Sequence, residues 1–188
     1  MDDESTDDAL VQRAQVGDRA AFTTLVERYQ QPLGGYLWRL TRDRELALDL
    51  TQETFFRAYR AIASTPSGLL VRPWLYRIAT NLAYDELRRR RRLRRVRLLF
   101  FLDRPPVEEV GVAIEERELV QMALTRLRPR ERAVLLLRAV EQLSYGEVAV
   151  VLGCSSEAAR KQFTRAKEQF RLAYTEITPT PLSPNSSK

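Results

Sequence analysis

The residues best suited to do something chemical are Trp74, Arg77, Asn81, Asp85 and Arg88. Their spacing places them on one helical face, where a flat ring, hydrogen-bonding side chains and cations stand together. Eight arginines follow within the ten positions Arg88–Arg97. A run this dense repels itself unless a polyanion or counterions neutralise it. Cations for phosphate beside rings for unstacked bases are what a single-strand nucleic-acid groove requires. The blander alternative is a solvated helix end with a disordered basic tail. Bond-making chemistry is poorly supplied. The chain has no histidine and one cysteine, Cys154, so the commonest general base and metal ligand is missing. No catalytic residue, metal site or cofactor is expected. An intrachain disulfide cannot form, which fits a reducing compartment.

The helix that carries this face is predicted over Arg72–Arg97. Pro73 suits its first turn, and Leu75, Ile78, Ala79 and Leu82 form its buried stripe. Three elements precede it. Residues 1–7 read as a frayed, disordered acidic arm. Leu10, Val11 and Ala14 begin a short helix that stops at Gly17. Asp18 is an N-cap for a long helix whose inward positions are Phe22, Leu25, Val26, Tyr29, Leu33, Tyr36, Leu37 and Leu40. Pro32, helped by Gly34 and Gly35, is expected to kink it. Asp43 caps a third helix, buried through Leu46, Ala47, Leu50, Thr54, Ala58 and Ile62. Its opposite face holds Asp49, Gln52, Glu53, Phe56 and Arg60. Two readings fit that face: a stray exposed ring, or a docking surface with Phe56 as anchor and the acids setting charge complementarity. Residues 63–72 form a loop punctuated by Pro66, Ser67 and Gly68. Residues 8–95 thus make one all-helical domain.

Residues 96–113 read as a flexible linker. The block Leu98–Leu102 is expected to cover one of the domains, with partner binding as the alternative, and Pro105-Pro106 ends any helix. From residue 114 the helical period resumes, with Val120, Ala123, Leu124 and Leu127 on one stripe. Pro129 opens the next helix, which buries Ala133, Val134, Leu137 and Val140. Ser144 and Glu147 make a capping box for a short helix, Tyr145–Leu152, buried through Val148, Ala149 and Leu152. After Gly153, Ser155 or Ser156 caps a last helix with Ala159, Phe163, Ala166 and Phe170 inward. Its outward face carries Glu157, Arg160, Lys161, Thr164, Lys167, Glu168 and Arg171. Short helix, glycine turn and a second helix with a basic face are a helix-turn-helix pattern for the major groove; an ordinary helical hairpin is the alternative. Cys154 at the turn reads as a small filler, with a redox switch as the other option. Residues 176–188 are rich in Pro, Ser and Thr and are expected to be disordered.

The chain has 188 residues and a net charge of +6. It is long enough for two small domains, and its balance favours an anionic partner. No stretch is long and apolar enough to span a bilayer, and the acidic start is unlike a signal peptide, so a cytoplasmic protein without membrane insertion is expected.

DLTQETFFRAYRAI, RPWLYRIATNLAYDELRRRRR and LTRLRPRERAVLLLRAVEQLSYGEVAVVLGCSS together resemble bacterial sigma factors of the sigma-70 family, in the extracytoplasmic-function (ECF) group. The likeness runs from about residue 8 to residue 173. It implies an all-α, two-domain subunit of RNA polymerase, with a region 2 bundle over 8–95 and a region 4 helix-turn-helix over 114–175. Region 2 would bind the −10 element as parted strands through Ser64, Ser67, Trp74, Arg77, Asn81, Arg88, Arg89, Arg91 and Arg92. Region 4 would read the −35 duplex through Ser155, Ser156, Glu157, Arg160, Lys161, Thr164, Arg165 and Lys167. Asp49, Gln52, Glu53, Phe56 and Arg60 match the family surface that docks on the β′ clamp helices of core RNA polymerase. The β flap, promoter DNA and an anti-sigma protein are the other implied partners. Where the family often has Gly-Thr-Val-Lys-Ser-Arg, this chain has Glu157-Ala158-Ala159-Arg160-Lys161-Gln162, so the −35 sequence is not carried over. A free-standing dimeric helix-turn-helix regulator is the alternative, and an enzyme acting on nucleic acid lacks the groups it would need.

Overall fold

In the computed structural model, residues 6–100 and 116–178 are described, with side chains described for 6–93 and 116–178. The other residues, including most of the expected linker and the ends of the arm and tail, lie outside that description. The order is α1 (Asp7–Gln15), α2 (Arg19–Thr41), α3 (Arg44–Ala61), a 3₁₀ turn (Ile62–Ser64), α4 (Val71–Phe100), α5 (Glu116–Arg126), α6 (Pro129–Leu135) running into a π turn (Leu136–Val140), α7 (Tyr145–Leu152) and α8 (Ser156–Ile177). No strand occurs among the described residues.

Local chemistry sets the helix starts. The Asp18 carboxylate accepts from the Ala20 N–H at 2.9 Å and the Ala21 N–H at 3.2 Å, and Asp43 accepts from the Leu46 N–H at 2.9 Å. Each satisfies donors that have no partner inside the helix. Ser144 and Glu147 close the expected capping box, and Ser155 rather than Ser156 caps α8. Gly153 ends α7 at φ +63°, a left-handed conformation that costs glycine little. Asp7 does not belong to a frayed arm: it opens α1, and its carboxylate accepts from Tyr29 and from Arg28. α4 starts at Val71, one residue ahead of the expected boundary, and α8 continues past 175 to Ile177.

α2 continues through Pro32 as one helix. Gly34 faces α3, where a Cβ would meet Thr51 Oγ1 at 3.6 Å, an ordinary contact distance. Leu33, Tyr36, Leu37 and Leu40 from α2 are fully buried with Ala58 of α3 and Tyr76 and Ala79 of α4. The second domain buries Leu124, Val134, Leu137, Leu143, Val148, Ala159 and Ala166. Phe163 and Phe170 are only half-buried, as is Leu152, and Val151 takes the core position instead.

The largest departure concerns Val140. It was expected inside, yet it is 45 % exposed. The π turn explains this. The Glu141 N–H bonds to the Leu136 carbonyl at 2.9 Å, five residues back. The extra residue in that turn rotates Val140 outward and carries Glu141 inward. Glu141 is 7 % exposed and sits between the domains. Its carboxylate accepts from the Tyr76 hydroxyl, and Arg39 stands 3.9 Å from the other oxygen. Arg72 donates to its backbone carbonyl. Arg132 of α6 is equally buried. It donates to the Leu124 carbonyl at 2.7 Å and the Thr125 carbonyl at 3.0 Å, and across the domains to the Leu40 carbonyl at 2.7 Å. One guanidinium thereby satisfies orphan carbonyls at the C-terminal ends of both α5 and α2, where the helix dipole also favours a cation. α7 packs along α4. The two domains therefore meet directly, which a flexible tether between independent units does not require.

Candidate nucleic-acid and partner interfaces

Three faces gather the residues singled out from the sequence. The first is the outer side of α3. Asp49, Gln52, Phe56 and Arg60 are exposed, and Glu53 is half-buried. Phe56 is 56 % exposed, with the Arg60 guanidinium 5.7 Å from its ring centre. Glu53 pairs with Arg57 at 2.7 Å. Sequence reasoning missed two neighbours. Leu48 is 61 % exposed and lines a groove between α2 and α3 with Trp38, Arg44 and Gln52. Tyr59 is 47 % exposed and meets Phe22 edge-on at 5.1 Å. Leu48 lies four residues before Gln52 and eight before Phe56, so helical spacing alone could have added it. The face is apolar at its centre and charged at its edges, the arrangement that suits protein docking.

The second face combines the loop after α3 with α4. Ser64 and Ser67 are exposed, and the Ser64 hydroxyl donates to the Ala61 carbonyl at 2.8 Å. Arg77 and Asn81 are exposed beside half-buried Trp74. The arginine run is less bare than its sequence implies. Arg88 pairs with Asp85, and Arg89 bonds Glu86 at 2.7 Å. Arg90 bridges Glu86 at 2.8 Å and Asp43 of α3 at 2.7 Å. Hydrogen bonds from Arg89 and Arg90 hold the Glu86 carboxyl below its ordinary pKa. The Leu46 N–H and then Arg90 do the same for Asp43. Arg91 and Arg92 have no ion pair among the described residues, and they line one shallow depression with Asp85 and Arg88. Among the described residues the cations without an ion pair thus come directly after the neutralised ones, further along α4 from the ring and amide.

The third face is α8. Ser155, Ser156, Glu157, Arg160, Lys161, Thr164, Arg165 and Lys167 are all exposed. Glu157 neutralises Lys161 at 2.7 Å. Thr164 donates to the Arg160 carbonyl at 3.2 Å, leaving its oxygen lone pairs outward. The Arg160 guanidinium lies 5.2 Å from the Tyr145 ring centre, and Arg138 approaches the same ring at 5.1 Å. Tyr145 and Arg138 were not among the expected site residues. α7 holds α8 through their shared core, and the first turns of α8 stay open to solvent. A rigid helix with exposed donors and cations on its leading turns can enter a major groove.

Among the described residues no cluster of three His, Cys, Asp or Glu side chains could hold a metal, and no helix is long and apolar enough to cross a membrane.

Comparison with known proteins follows the same division. Residues 25–93 match the family model for sigma-70 region 2, and residues 117–170 match that for sigma-70 region 4. The ECF RNA polymerase sigma-E factor of Haemophilus influenzae is 32 % identical over 193 residues, covering 90 % of this chain and 96 % of that protein. The RNA polymerase sigma-H factor of Pseudomonas aeruginosa is 32 % identical, covering 86 % and 90 %. Among solved structures, CnrH in complex with the cytosolic domain of CnrY superposes with a TM-score of 0.70 at 25 % identity, covering 92 % of this chain and 99 % of that one. The sigma factor RpoE of Bartonella quintana, solved with the anti-sigma factor NepR, shares the fold with a TM-score of 0.68 at 20 % identity, covering 84 % and 98 %.

Proposed function

The chain belongs to the sigma-70 family, in its ECF group, and on that premise we propose how its three faces divide the work of an alternative sigma factor. Such a factor joins core RNA polymerase and directs promoter recognition at transcription initiation. The α3 face, with Asp49, Gln52, Glu53, Phe56 and Arg60, docks on the β′ clamp helices, with Leu48 extending the apolar contact. The loop after α3 and the Trp74–Asn81 face of α4 hold the unpaired −10 strand. Flat rings and amides bind splayed bases, and Arg91 and Arg92 bind backbone phosphate. α8 reads the −35 duplex in the major groove from its first turns. The chain contributes binding rather than bond chemistry, and the polymerase performs the reaction.

One observation carries this reading. Two faces of different chemistry, one suited to parted strands and one to closed duplex, are exposed on a single chain beside an apolar-centred docking face. The solved relatives were captured with a cytosolic domain and an anti-sigma factor, and an anti-sigma protein is the corresponding regulatory partner here. The test is in vitro transcription with purified core polymerase over genomic DNA, with start sites mapped. A set of start sites that appears only when the chain is added supports the proposal. Start sites indifferent to its presence overturn it.

A further inference from the structure

The loop between α3 and α4 owes its shape to a residue far from it in sequence. Gln15, the last residue of α1, turns its side-chain amide onto the loop. Its Nε2 donates to Thr65 Oγ1 at 2.8 Å, to the Thr65 carbonyl at 3.2 Å and to the Pro66 carbonyl at 3.3 Å. Carbonyl oxygens only accept, so the NH₂ side of the amide must face the loop. Thr65 is fastened a second time: its hydroxyl donates to the Ile62 carbonyl at 2.6 Å and its N–H to the same oxygen at 3.1 Å. The tip has no such support. Pro66, Ser67, Gly68 and Leu70 are exposed, and Gly68 takes φ +76° with nothing within 4 Å of where a Cβ would stand. The loop therefore has a fastened root and an open end. Gln15 also lies ahead of the residues 25–93 that match sigma-70 region 2, so the fastening comes from outside that matched segment.

A segment without burial samples many shapes, and its apparent affinity falls with the fraction that is competent to bind. Hydrogen bonds that hold its root raise that fraction without touching the ligand. We infer that Gln15 is a positioning residue for base capture: by holding Thr65 and Pro66 it presents the Ser64–Gly68 turn to an extruded base of single-stranded DNA. This rests on the proposed role of the loop, and the test separates the two.

Holoenzyme is assembled from the full chain and bacterial core polymerase, then mixed with a pool of random single-stranded DNA decamers. Bound strands are sequenced, with core polymerase alone as background. Gln15→Met keeps length and helix preference but has no donor, Gln15→Ala removes the side chain, and Ser64→Ala with Ser67→Ala alters the loop itself. The parent is expected to enrich a base preference. Both Gln15 variants should flatten that preference at one position by about five- to tenfold, the effect of losing one or two ordinary hydrogen bonds. Enrichment at other positions and the melting temperature of the chain should hold, and the double serine variant should act on that same position. If Gln15→Met keeps the parental preference while the serine variant loses it, the inference is wrong and the loop reading stands. If the serine variant changes nothing either, the loop reading falls and the inference with it. A uniform loss at every position, in step with a lower melting temperature, would reduce Gln15 to a structural residue and also overturn the inference.

Discussion

Replacing Tyr76 with phenylalanine removes one oxygen atom from the contact between the domains. The Tyr76 hydroxyl is the hydrogen-bond donor to the Glu141 carboxylate, and both residues are buried, at 0 % and 7 % exposure. Losing a hydrogen bond to a charged acceptor costs about 1.5–3 kcal/mol when the acceptor stays buried. Arg39, at 3.9 Å, is too far to replace it fully. In an arrangement with the domains apart, Glu141 and Tyr76 would both be hydrated and the substitution nearly silent. The ratio of closed to open chains should therefore fall by about 10- to 150-fold. That ratio matters on the proposed division of labour. Promoter elements about 25 base pairs apart are separated by on the order of 85 Å at 3.4 Å per step. Domains touching through α4 and α7 do not span such a distance, so engaging both elements breaks this contact. The assay is single-molecule energy transfer between dyes on Cys154, the one native cysteine, and on a cysteine replacing exposed Gln12. Tyr76→Phe should populate a low-transfer state, with helical content unchanged. A transfer distribution identical to that of the parent would refute the reasoning that this hydrogen bond holds the domains together.

Three other outcomes are expected. Glu53→Ala with Phe56→Ala should weaken core-polymerase pull-down by about tenfold or more, since an exposed ring at the centre of a docking face is where binding energy concentrates; chemical denaturation should shift by less than about 0.5 kcal/mol because neither side chain is buried core. Arg91→Gln with Arg92→Gln should lower the salt slope of single-strand binding by about 1.4, two phosphate contacts at about 0.7 each, as read by anisotropy across a salt series. At high pH the fold should fail steeply. Desolvation raises the pKa of Tyr29, Tyr36, Tyr76 and Tyr84 above the ordinary tyrosine value, Asp7 adding to the effect on Tyr29 and Glu141 to that on Tyr76. Their protonated form is thus favoured in the folded chain, so their contribution is fully present below about pH 10 and is lost as pH rises above it. Each removes up to about 1.4 kcal/mol per pH unit in that range. Circular dichroism followed with tyrosinate absorbance should show four of the seven tyrosines ionising only together with unfolding; tyrosinate absorbance accounting for more than three rings while the helical signal is intact would contradict it.

The two domains were legible because local rules and burial agree there. Asp18, Asp43, Ser144 with Glu147, and Ser155 each mark a helix start, and most of the stripe positions behind the first three are buried, while in α8 only Ala159 and Ala166 of the four are. The exposure of the docking and α8 residues followed from the same periods. What escaped was the chemistry that joins distant segments. Val140 was placed inside because a 3.6-residue period was carried through a turn that holds one residue more, and that turn is what buries Glu141. Arg132 carried no sequence signal, since its buried partners are backbone carbonyls, one of them 92 positions away at Leu40. Gln15 gave no signal for the same reason: two of its three acceptors are carbonyls, which every residue has and no side-chain pattern reveals. The arginine run is the opposite case. Asp85 and Glu86 stand three or four residues before Arg88, Arg89 and Arg90, so the neutralisation of those arginines was readable from helical spacing. Sequence pattern thus exposes what a helix does to itself and to a core that repeats along it. A polar side chain that reaches for another segment's backbone is visible only once the chain is folded, and in this protein Arg132 and Gln15, at the domain contact and the loop after α3, are both of that kind.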